Sequence, residues 1–232
     1  MAQVPTGTSH RNTNKLLGLH SPQYRTVKHE EGIVLLEDAI IANPEFGEAE
    51  WSIEQYDDGR RARAIAKFTE VEYPITNGDT VNPRVEYYNS YDGGWAEKFI
   101  FGAFRLVCAN GLIVGERFLY EKVIHWGEER PVDIQMLLKE SMHRFSTQVD
   151  LWKQWADREL EFSIDQYEQV VAPFGNKQRK EIAEEVDKEN SKNALSLWTF
   201  FNVLTAFITH RIKSLQRQVA LEEHLRRVST SW

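Results

Sequence analysis

The sequence holds a single cysteine, Cys108, among its 232 residues. No disulfide can close within one chain, and no zinc site built from several thiolates can assemble. That scarcity suits a reducing compartment, and the expected location is the cytoplasm of a host cell. No run approaches the roughly 20 apolar residues that cross a bilayer, and residues 1–15 lack the apolar stretch of a secretory leader. Basic charge is also in deficit, with 28 Lys and Arg against 35 Asp and Glu, a formal net charge of −7. This balance argues against coating duplex DNA by bulk electrostatics, because affinity for phosphate comes from clustered cations that displace counterions. A local basic face stays open. The common catalytic signatures are missing as well: there is no Gly-x-x-x-x-Gly-Lys phosphate loop, dinucleotide fingerprint, His-Glu-x-x-His helix or Gly-x-Ser-x-Gly elbow. No metal and no cofactor is implied, and binding is favoured over catalysis.

What is present suffices for a large core, with 41% hydrophobic and 12% aromatic residues. Residues 1–21 are rich in Thr, Asn, Ser and Gly and read as a flexible arm. Residues 22–232 read as one α+β domain, with a helix and an antiparallel sheet over 22–126 and a helical half over 127–232. Ile33, Leu36 and Ile40 predict a first short helix that Asn43-Pro44 stops. Residues 51–68 alternate as a β-hairpin turning on Asp57-Asp58-Gly59, with Ala62, Ala64, Ala66 and Phe68 on one face and Arg61, Arg63 and Lys67 on the other. Pro74, Asn77-Gly78 and Pro83 mark residues 70–82 as a loop. Runs at 84–91 and 95–108 form a second hairpin, and Asn110-Gly111 predicts a turn into one more strand, about five in all. Beyond His125 the period becomes helical. One stripe runs from Ile134 to Tyr167 and ends before Pro173, and another from Leu197 to Val219, with a charged, solvated helix at 177–192 between them. Two long helices of this kind pack on one face of the sheet.

Arg60, Arg61, Arg63 and Lys67 form a basic edge, and Tyr88 and Tyr91 on neighbouring strands offer stacking surfaces for unpaired bases. The competing reading is cross-strand ion pairing, since Glu50, Glu54 and Glu86 lie on adjoining strands. Arg105 sits in an apolar strand and requires an acidic partner such as Asp92, or an outward orientation, and is the first choice for a functional side chain. Cys108, flanked by Val107 and Ala109, reads as a small buried hydrophobe. His210 closes an apolar helical run and reads either as a structural histidine or as a site.

Three stretches carry a family resemblance: Tyr24-Arg25-Thr26-Val27 before a charged helix; Asn89-Ser90-Tyr91-Asp92-Gly93 followed by Phe104-Arg105-Leu106-Val107-Cys108-Ala109-Asn110; and Asn202-Val203-Leu204-Thr205-Ala206-Phe207-Ile208-Thr209-His210. Together, in this order, they resemble the phage/plasmid-like family known as domain of unknown function 932. The sequence departs from that family at Tyr91, where histidine is usual. The resemblance implies a phage or mobile-element setting, no established reaction, and Asn89, Ser90, Asp92, Cys108, Asn110, Asn202, Thr205 and His210 as motif residues without an assigned role.

The expected function is therefore non-enzymatic binding of nucleic acid, in particular single-stranded DNA during replication or recombination. A module that inhibits or redirects a host protein is the alternative, and a metal-dependent enzyme using scattered carboxylates and His210 is the third reading. No membrane partner is expected, and pairing of edge strands leaves a homo-oligomer open.

Overall fold

The structure, a computed structural model, describes residues 6–9, 15–20, 26–105, 110–112, 120–123, 133–192 and 194–232. Cys108 lies outside them, and of Asn110 only the backbone is described. The fold is α+β. In chain order it contains β1 (Thr6–Ser9), β2 (Leu16–His20), α1 (His29–Ile41), a short 3-10 turn (Pro44–Phe46), β3 (Glu50–Tyr56), β4 (Arg61–Lys67), β5 (Tyr73–Thr76), β6 (Asp79–Ser90), β7 (Glu97–Arg105), β8 (Asn110–Leu112) and β9 (Tyr120–Val123). Helices α2 (Ile134–Asp157), α3 (Ile164–Val171), α4 (Asn176–Asn190), α5 (Leu197–Arg211) and α6 (Leu215–Ser229) follow. The main sheet runs β3-β4-β6-β7-β8, with β5 and β9 pairing off that path with β6 and β7. Among the described residues no helix is long and apolar enough to cross a membrane.

The chain divides into two compact units that interleave in sequence. Unit 1 takes Met1–Val71, Pro83–Gly102 and Arg117–His143, and unit 2 takes Glu72–Asn82, Ala103–Glu116 and Arg144–Trp232. The helical half expected from residue 127 onward thus shares unit 2 with strand residues from 72–82 and 103–116. Within the segment expected as an arm, β1 pairs with β2, and Leu17 is buried.

In unit 1 the first hairpin forms as its residues dictate. Asp57, Asp58 and Gly59 all take positive φ (51°, 58° and 83°), a conformation that Asp and Gly tolerate and branched residues avoid. The register Tyr56↔Arg61 to Glu50↔Lys67 sends Ala62, Ala64 and Ala66 inward, where each is at most 1% exposed. Phe46, Phe68, Tyr87, Phe99 and Phe101 complete this core. Helix α1 lies on Tyr87: a Cβ added at Gly32 would come within 2.1 Å of that ring.

Unit 2 corrects two expectations. Residues 73–81 form a hairpin rather than a loop, since Asn77-Gly78 closes β5 onto the start of β6, with Gly78 at φ 79°. Pro74 is tolerated because, among the described residues, β5 pairs on one side only, with β6. Conversely, Asn110 and Gly111 are not a turn, for they pair with Arg105 and Phe104 inside β8.

Each long helical stripe is also interrupted once. Between α2 and α3 the backbone turns extended to pair with the segment before α5: Leu160 N–H donates to Leu195 O at 2.7 Å, and Leu197 N–H to Arg158 O at 3.0 Å. Ser163 then caps α3, accepting from Gln166 N while the Gln166 side chain accepts from Ser163 N. Between α5 and α6, Ile212 is extended, and Ser214 caps the new helix by accepting from Arg217 N. The unit is closed by an aromatic cluster in which Trp155, Phe162, Phe200 and Phe201 all meet Trp232. Helix α4 is less solvated than its charge implies, because Ile182 is fully buried and the helix packs on α5.

Candidate functional site

The hairpin basic edge in unit 1 is largely neutralised. Arg63 holds Glu86 at 2.7 Å and Glu54 at 3.7 Å, and its guanidinium lies 5.6 Å from the centre of the Tyr88 ring. Arg84 pairs with the other Glu86 oxygen, and the Tyr88 hydroxyl donates to Glu86. Burial pushes the Glu86 carboxyl up, yet Arg84 and Arg63 outweigh it and hold the group down at about 2. Arg63 is likewise held charged: burial opposes its charge, but Glu86, Tyr88 and Glu54 raise its pKa. Tyr88 is 1% exposed, with Lys98 Nζ 4.5 Å from its ring centre and Trp95 edge-on at 5.7 Å, so its ring is closed to a base. Arg60 is half-buried, and Lys67 is a half-buried residue on the Arg61–Lys67 strand.

The central family motif is a structural knot at the far end of β6. Asp92 receives Arg61 at 3.0 Å and the Gly94 N–H at 2.8 Å, and these contacts outweigh the upward push of burial to lower its pKa. Arg61 reaches Asp57 at 3.3 Å as well, and sits over Trp95. Ser90 Oγ donates to Trp95 O and accepts from Trp95 N, closing the turn. Asn89 is fully buried and donates to Val27 O at 2.9 Å. Tyr91 stacks on His29 at 4.0 Å, and its hydroxyl accepts from His29 N. Burial lowers the His29 pKa, opposed by its bond to Gly59 O.

Arg105 finds its acid elsewhere than expected: its partner is Asp79, the first residue of β6, while Asp92 belongs to Arg61. The second Asp79 oxygen accepts from Trp198 Nε1 at 2.7 Å. One carboxylate, 6% exposed, therefore joins the tip of the β5–β6 hairpin, the end of β7 and the first turn of α5, all within unit 2. These residues wall a cavity of about 910 Å³, within the range of about 300–1,000 Å³ typical of small-ligand sites.

The same cavity is lined by Asn202 and His210 of the C-terminal motif. Asn202 is 6% exposed; its Nδ2 turns back on Trp198 O at 2.8 Å, and Oδ1 is a buried acceptor with no partner. Thr205 supports it from below, donating to Asn202 O at 3.1 Å. Leaving a buried acceptor unmade costs about 1–3 kcal/mol. Arg211 also lines the cavity and has no ion-pair partner among the described residues. Glu185 and Glu189 on the opposite side are bonded to Lys188 and Lys192. Val203, Ala206 and Phe207 supply an apolar stretch. Among the described residues no group of three His, Cys, Asp or Glu is placed to hold a metal ion.

Sequence reasoning singled out Arg105, Asn202 and His210 but missed Asp79 and Trp198. The signal for Asp79 was its place directly after Asn77-Gly78, where a strand begins. Residues 16–232, nearly the whole chain, match the family described as Domain of unknown function (DUF932). No curated protein and no solved structure matches the chain.

Proposed function

We propose that the chain, which belongs to the DUF932 family, is a binding protein for single-stranded DNA that holds one nucleotide of the strand in the cavity of unit 2. The observation that carries this reading is the convergence of Arg105, Arg211 and Asn202 on one half-apolar cavity. Phosphate is matched by Arg211 on the wall that also carries the anchored Arg105, the Asn202 side chain borders the place of a base edge, and the base face lies on Val203, Ala206 and Phe207. Duplex DNA is excluded because its base edges are paired and its width exceeds such a cavity. With only one or two phosphates engaged, affinity falls by roughly three- to sevenfold between about 50 and about 200 mM salt, far less than for a protein coating the backbone.

Fluorescence anisotropy of labelled single-stranded and duplex oligonucleotides, titrated at both salts, tests this. Single strands bind with that shallow slope, Arg211→Glu and Asn202→Leu each weaken binding about tenfold or more, and Lys177→Glu, on the outer face of α4, leaves it unchanged. Competition by a free deoxynucleoside monophosphate separates a mononucleotide site from a strand site. Absence of single-strand binding at both salts, or affinity indifferent to Arg211→Glu and Asn202→Leu, overturns the assignment.

A further inference from the structure

Among the described residues strand β3 is an edge of the sheet: it pairs with β4 on one side, and its sequence Glu50-Trp51-Ser52-Ile53-Glu54-Gln55-Tyr56 is mostly exposed, Ile53 by 55%. Every second residue of such a strand turns its N–H and C=O away from the sheet, a template for another strand. The question is which strand the side chains admit.

A second copy of β3 fits in an antiparallel register centred on Ile53. With a two-fold axis through Ile53, Ile53 meets Ile53, Ser52 meets Glu54, Trp51 meets Gln55, and Glu50 meets Tyr56. Glu54 then faces the Ser52 hydroxyl of the other chain, Glu50 meets the ring of Tyr56 with no like charge opposite, and the exposed Ile53 is covered by its twin. Cross-strand pairs of these kinds each contribute roughly 0.2–1 kcal/mol, whereas like charges directly opposite are unfavourable. The neighbouring symmetric registers fail on that count. Centring on Ser52 sets Glu50 against Glu54, and centring on Glu54 sets that residue against itself. Glu54 is also steadied from its own chain by Arg63 and by the Tyr56 hydroxyl.

We infer that β3 is a homodimerisation edge, the partner being a second copy of this chain joined antiparallel at Ile53. Two chains of net charge −7 repel at long range, so added salt screens the repulsion and strengthens the dimer. Salt therefore acts on it in the direction opposite to its action on DNA binding.

The test is light scattering on the size-separated full chain at low and high salt. The wild type has twice the 27.1 kDa chain mass at high salt, and Ile53→Lys, which sets two cations face to face at an exposed position, runs as a monomer with unchanged circular dichroism. In a Cys108→Ser background, Ile53→Cys is joined by a short bifunctional thiol reagent, while Gln55→Cys, offset from its copy by about 14 Å along the strand, is not. A monomeric wild type at the highest attainable concentration overturns the inference, as does a dimer that survives Ile53→Lys or links equally well through position 55.

Discussion

Glu86→Gln loses about 3 kcal/mol of folding stability at neutral pH, although it removes no atoms from the core. Glu86 is 1% exposed and is the shared counter-ion of Arg63 and Arg84. Glutamine keeps the shape and can still accept from Tyr88, but it leaves the buried Arg84 and the half-buried Arg63 without the full negative charge they share. Breaking a buried pair in this way costs about 3–5 kcal/mol. The pH dependence identifies the cause. The folded carboxyl titrates at about 2, below its ordinary 4.5. A depressed folded pKa contributes stability that is fully present above the unfolded value and lost as pH falls through the folded one. The wild type therefore weakens between about pH 4.5 and about pH 2 by an amount that Glu86→Gln does not share, about 3 kcal/mol at about 1.4 kcal/mol per pH unit. Urea titrations of both proteins across that range measure it. Parallel curves, with the same offset at every pH, would show that Glu86 is not the charge that holds this face together.

This ion-pair cluster was half legible in the sequence. Alternation on β3, β4 and β6 placed Glu54, Glu86 and Arg63 on adjoining strands, and pairing followed from the two-residue period alone. The turn at Asp57-Asp58-Gly59 was equally plain, because the requirement for positive φ is local. Other elements were masked by signals that point two ways. Asn77-Gly78 is a hairpin turn, but Pro74 and Pro83 on either side argued for a loop until the one-sided pairing of β5 removed the objection. The apolar stripes continued through the breaks at 158–163 and 212–214 because period alone does not register a change of axis. Ser163-x-x-Gln166 and Ser214 were the quieter marks of new helix starts. The cavity was illegible for a different reason. Asp79, Arg105 and Trp198 are far apart in sequence and meet only through the hairpin, the end of β7 and α5, a closure that no local pattern encodes.

Gly32→Ala is expected to destabilise the protein by about 2 kcal/mol, against the direction that helix propensity predicts. Near the start of α1, alanine in place of glycine is worth at most about 1 kcal/mol to the helix itself. Here, however, the new Cβ meets the Tyr87 ring at 2.1 Å and its hydroxyl at the same distance. Tyr87 cannot swing aside: it is fully buried, its ring is packed at a tilt against Phe99 at 5.0 Å, and its hydroxyl donates to Glu97 at 3.1 Å. Helix α1 must lift from β6 instead, opening the layer around Leu36 and Ala39, also fully buried. Overpacking of this kind costs about 1–3 kcal/mol and at times more, enough to exceed the propensity gain. For a chain of this size the melting temperature falls by about 2–4 °C per kcal/mol. A double-mutant cycle isolates the contact: in a Tyr87→Leu background, where the ring is gone, the same Gly32→Ala change becomes neutral or stabilising, and the coupling between the two sites is about 2 kcal/mol. A Gly32→Ala protein as stable as the parent would mean that α1 does not sit this close to Tyr87, and the close helix-on-sheet packing of unit 1 would have to be redrawn.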